Sequence, residues 1–193
     1  MTNVESNVHV KVAMADVLGL LVVSMFTMSV AAFGLGASKT IDMLTLVGAI
    51  GPIVGIAALI AAVFAYMNEN LLGTAIFGPV AVFIWAIVLL PLSPAGFTSA
   101  SMLCLIAGIV FLVDAIVSLA QPVKLLPILL IIGAIAFFVT ALFYNSLLTG
   151  DWGMQSAVGV IWLIFSLLAI YMAVAIMVLV MKGKAMLPLL IKA

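Results

Sequence analysis

Arginine is missing from this 193-residue chain, which also has a single histidine, His9, and a single cysteine, Cys104. Charged residues make up only 6% of it, and six lysines cancel six acids. Without a basic stripe or arginine forks there is no case for nucleic acid. A lone cysteine cannot form an intrachain disulfide, and Cys104 lies in an apolar run, where packing is its commoner role. The sequence has no His/Cys/Asp/Glu cluster with metal spacing, no Ser–His–Asp set and no glycine-rich phosphate loop after a strand. Nothing here points to an enzyme, a metal or a cofactor.

What the chain has instead is apolar mass: 68% hydrophobic residues and a mean hydropathy of +1.56. No water-soluble domain could keep that much apolar surface from solvent, and no polar block is long enough to form one. The composition predicts an all-α polytopic membrane protein whose partner is the lipid bilayer. Six runs approach the roughly 20 residues that a ~30 Å hydrocarbon core requires. They fall at about 17–36, 44–66, 71–92, 100–119, 125–146 and 156–181. The organisation read from this is a polar leader over 1–16, a six-helix transmembrane domain over 17–181 and a short tail over 182–193. The leader does not read as a cleaved signal, because the first apolar run is too long and lacks a small-residue cleavage site.

Every connection is short, so consecutive helices should be antiparallel neighbours. Pro91/Pro94 and Pro122/Pro127 suit helix ends, where a missing N–H costs least. With six spans both termini share a side. That side collects Lys11, Lys124, Lys182, Lys184 and Lys192, against Lys39 alone on the other, which carries Asp42 and Asp151. Positive residues favour the cytoplasm, so both termini are expected there. In the second span Gly51 and Gly55, then Ala58 and Ala62, stand four apart. That spacing presents small residues on one face to a close neighbour. The third span carries Pro79 and Trp85 in its interior.

One carboxyl is intramembrane. Asp114, in GIVFLVDAIVSLA, costs roughly 2.5–3.5 kcal/mol at mid-span on insertion scales, so it must face protein or a wet cavity. Ser118 shares its face one turn on. Two readings stand side by side: a proton carrier or polar pore contact, or a protonated or hydrogen-bonded group between helices. Asp16 reads as a helix N-cap or first-turn acid. Ser24 and Thr27 share a face of the first span. Trp162 and Ser166 do so in the last, followed by Tyr171. Such mild polarity either lines a path for a small polar solute or hydrogen-bonds between helices.

These residues carry a likeness. Gly51–Leu92 resembles the second and third helices of the acetate uptake transporter family, the succinate–acetate permeases and their yeast ammonia/acetate relatives. There a small-residue helix ends in an Asn-x-x-Gly turn and an aromatic-rich helix runs on to a proline; here these are Asn70, Gly73, Phe83, Trp85 and Pro91. The family's last helix is matched by Ala169, Ile170, Tyr171, Met172 and Ala173, then Gly183, Lys184, Leu187 and Pro188. Of the family's first-helix signature, Leu18, Gly19 and Leu20 remain, while Met14 to Val17 replace Asn-Pro-Ala-Pro. The family's pore narrows at a Phe and a Tyr, at whose places Val23 and Val80 stand. Its acid before the second turn is Ala65 here, with Glu69 in the loop.

The resemblance covers about residues 17–190. It implies a six-helix protomer with its own pore, a hexamer, and a plasma-membrane transporter or channel for acetate or a similar short monocarboxylate, linked to protons or passing the protonated acid. A urea or short-amide channel, or a structural membrane subunit without a pore, are the alternatives from other classes.

Overall fold

The computed structural model describes residues 15–37, 40–90, 96–182 and 187–188. His9 and Lys11 of the leader, Lys39, the Asp42 side chain, Pro91, Pro94, Lys184 and Lys192 lie outside the described residues. Among the described residues six helices follow in order: α1 (Ala15–Gly34), α2 (Thr40–Met67), α3 (Leu71–Leu89), α4 (Gly96–Ser118), α5 (Leu125–Leu147) and α6 (Gln155–Lys182). All six are long and apolar enough to cross a membrane. In hydrocarbon a backbone has no water to bond, and a helix satisfies its own N–H and C=O groups. α2 and α4 begin earlier than the apolar runs at 44 and 100 suggest, because a helix need not end where its hydrocarbon segment does.

The hydroxyls follow the same logic. Ser24 donates to the Leu21 carbonyl at 2.7 Å, Ser118 to Ala115 at 2.7 Å and Thr140 to Ala136 at 2.7 Å, so each is absorbed by its own helix. The α2–α3 turn is closed by Asn70, whose Oδ1 accepts the Gly73 N–H at 3.0 Å as an N-cap. Glu69 takes φ 60° there, the left-handed region that a tight reversal between two spans demands.

Each helix packs on the next, and α6 returns to α1, so the six close into a ring, with α1 also touching α3. Several contacts depend on glycine. Gly34 of α1 and Gly159 of α6 meet backbone to backbone: a Cβ on Gly159 would stand 2.6 Å from the Gly34 carbonyl carbon. Gln155 fastens the same end, donating its amide to the Phe33 carbonyl at 2.9 Å. On α2, Gly51 lies against Val88 and Gly55 against Trp85, whose ring a Cβ at Gly55 would reach at 2.6 Å. The small-residue face of the second span is therefore filled by α3.

Candidate functional site

Two cavities lie inside the ring. The larger, about 240 Å³, is walled by the later parts of α1, α3 and α5 and by the earlier parts of α4 and α6. The smaller, about 90 Å³, takes the opposite ends of those helices, with Asp16, Asn70, Gly73 and Gln121 among its residues. Helices of alternating direction produce this division, so the cavities are stacked along the bundle axis. The smaller one lies at the end where α1 begins and α6 finishes.

Four side chains line both cavities: Val23, Val80, Phe111 and Phe165. They form the partition between them. All are at least nine-tenths buried and none has a polar atom. Phe111 and Phe165 both rest over Gly133 of α5. They belong to a set of edge-to-face rings: Phe111 with Phe137 at 5.0 Å, Phe83 with Phe137 at 4.7 Å, Phe137 with Trp162 at 5.0 Å and Trp162 with Phe165 at 5.4 Å. Such pairs hold the rings in defined orientations beyond what burial alone imposes.

Near the partition the polar groups of the larger cavity bond to one another, while Tyr144 and Trp152 line its far end. Thr27 and Ser166 hydroxyls are 2.7 Å apart, and each also reaches a carbonyl of its own helix, Val23 at 3.0 Å and Trp162 at 2.7 Å. The Trp162 Nε1–H donates to Thr140 Oγ1 at 2.8 Å. At the other end, Asn70 Nδ2 donates to both carboxylate oxygens of Asp16, at 2.9 and 3.0 Å. Asp16 stands in the first turn of α1, where the helix dipole favours a negative group.

Of the candidate pore residues, Val23, Thr27, Val80, Phe83 and Trp162 come together on these cavities. Ser24 and Ser166 are buried behind the wall, and Tyr171 donates to the Pro188 carbonyl at 3.0 Å. Asp114 is buried, lines neither cavity and leaves Oδ2 without a partner. Among the motif residues, Leu20, Asn70 and Gly73 line the smaller cavity, Gly19 lies under Phe77, and Leu18 is exposed. Leu187 packs on the core, next to Pro188, while Pro91 is outside the described residues.

Sequence reasoning missed Phe111, Phe165, Thr140 and Gln121. The available signal was only an aromatic ring near the middle of the fourth and sixth spans and a glycine in the fifth; that they meet is not in the sequence. The described residues hold no group of three His, Cys, Asp or Glu side chains able to grip a metal.

No protein-family model and no curated protein matches the sequence. A solved structure does match in shape: the bacterial acetate channel SatP, at 22% identity and a TM-score of 0.79, over 92% of this chain and 98% of that one. This six-helix membrane protein has the fold of that acetate channel.

Proposed function

We propose that the chain is a divergent member of the acetate uptake transporter family and passes acetate or a similar short monocarboxylate, with its proton, across a membrane. The observation that carries this reading is a pair of cavities stacked inside a closed helix ring and separated by a thin apolar partition, in a fold shared with an acetate channel. The cavities hold a solute on either side. The partition of Val23, Val80, Phe111 and Phe165 sets the size limit and strips the hydration shell. Thr27 and Thr140, whose hydroxyl protons are engaged within the bundle, present oxygen acceptors on the larger side. Each protomer has its own path, in a hexamer in the plasma membrane. The lysine distribution supports cytoplasmic termini, with the leader 1–16 and tail 182–193 on that side. The smaller cavity then faces the cytoplasm.

Reconstituted vesicles test the reading. Radiolabelled acetate should enter faster than into protein-free vesicles, and Val80→Trp should abolish the difference while the protein remains folded. Urea uptake with no acetate uptake would favour the short-amide channel, which the absence of any cation on the cavity walls among the described residues also suits. No uptake of either solute leaves a structural subunit.

A further inference from the structure

Among the described residues, the cavity walls carry one charged side chain, and it is negative. Asp16 lies on the smaller cavity, and no lysine lines either one. Lys124 spends its ammonium on the carbonyls of Leu119 at 2.6 Å and Gln121 at 2.8 Å, outside the wall. Lys182 is exposed at the end of α6. Glu69, in the turn before α3, is exposed and adds no positive charge. On α1, α2, α3 and α6, no other charged group of the described residues lines the Asp16 cavity. His9 and Lys11 lie outside those residues.

The donors near the partition are equally decisive. The Thr27 and Ser166 hydroxyls are taken by each other and by carbonyls, and the Trp162 N–H is taken by Thr140. An anion reaching Val23, Val80, Phe111 and Phe165 would meet four apolar side chains and, among the described residues at the partition, no cation and no free donor. An unpaired carboxylate in such surroundings costs far more than an uncharged polar group. Before the partition, on the smaller side, it would also meet Asp16.

The same cavity is well furnished for an uncharged solute. Asp16 gives both oxygens to one amide of Asn70, which leaves lone pairs to accept a further donor. Gln121 lines the same cavity with an amide that can donate. We propose that the Asp16–Asn70–Gln121 cavity selects uncharged small solutes carrying a hydrogen-bond donor beside an acceptor, the undissociated short acid or a primary amide, and rejects the carboxylate anion. The N–H or O–H of the solute points to Asp16, and its carbonyl oxygen takes an amide N–H.

This rests on the reading of the chain as a solute pore, and the two can fail separately. Phosphatidylcholine vesicles containing the full chain are compared with protein-free vesicles for acetamide and urea entry, acetic acid entry across a pH series, and current under an acetate gradient. If none of these fluxes exceeds that of protein-free vesicles, the pore reading itself fails. The expected result is protein-dependent amide entry that is flat with pH. Acid entry should fall about tenfold per pH unit above the acid's own pKa, as its neutral fraction does, with no acetate current. Asp16→Asn, which keeps the size and a bond to Asn70, should weaken competition by acetamide several-fold and admit acetate current. A protein-dependent acetate current in the unaltered chain, or acid entry that ignores the neutral fraction, overturns the proposal even if Asp16→Asn does not fold.

Discussion

Phe111 and Phe165, from helices α4 and α6, share the bare backbone of Gly133 on α5: a Cβ there would stand 2.7 Å from one ring and 2.9 Å from the other. The family likeness leads one to expect aromatic bulk at Val23 and Val80. Here those places hold small side chains, and the bulk of the partition comes from the other side of the ring. The glycine is what allows two phenyl rings to fit where α4, α5 and α6 converge.

Gly133→Ala should therefore act on stability and flux together. The added methyl forces both rings to move, an overpacking cost of about 1–3 kcal/mol. A lowered melting temperature in detergent and an altered solute flux are expected. Unchanged values of both would mean the rings do not rest on Gly133.

The ring of helices closes at the Gly34–Gly159 crossing, and that contact is backbone on backbone. Gly159→Leu should push α6 from α1 and sharply reduce the yield of folded protein. Gly48 supplies the control, since a Cβ there meets nothing within 4 Å. Gly48→Ala should be neutral or stabilising by up to ~1 kcal/mol, the helix-propensity difference. Size-exclusion profiles and melting curves of the two variants separate packing from propensity.

The contrast explains what could be read in the sequence. Six spans, their short connections and the contact face of Gly51 and Gly55 follow from hydropathy and spacing, which report length and residue size. Which face of a span looks inward does not follow, because lipid and lumen are both apolar here. Phe111 on the partition and Met102 facing outward are equally apolar residues of one helix. Ser24 and Thr27 share a face in sequence, yet only Thr27 lines a cavity. Gln121 joins the site from a loop, where no periodicity reaches. Pairing across the ring, as between Trp162 and Thr140, depends on a tertiary approach that no single span encodes.

That pair gives a further prediction. Thr140→Val keeps the shape but leaves the buried Trp162 N–H without its acceptor. Loss of about 1–3 kcal/mol is expected from the orphaned donor, read as a lower melting temperature. Trp162→Phe carries its own packing cost, which should be smaller in the Thr140→Val background than in the unaltered chain, because the orphaned donor leaves with the indole. A double-mutant cycle showing simple additivity would mean that the hydrogen bond contributes nothing.

Asp114 is the group for which stability and transport give separable answers. It is 6% exposed, its Oδ2 has no partner, and it lines neither cavity. A buried polar atom without a partner is a liability, and replacing it with an apolar group of similar size relieves that liability. Asp114→Leu should therefore keep or raise the melting temperature and leave uptake unchanged. Asp114→Asn, close in size but still polar, should keep the liability and fall below the leucine variant in stability. A proton carrier predicts a different pattern: both variants fold, and the pH profile of uptake flattens in each. A contact that needs the carboxyl for assembly predicts a third, in which the leucine variant loses its oligomer on size exclusion. The geometry favours the first pattern, because a side chain that reaches neither cavity can hand a proton to a passing solute only by swinging out of its burial between helices.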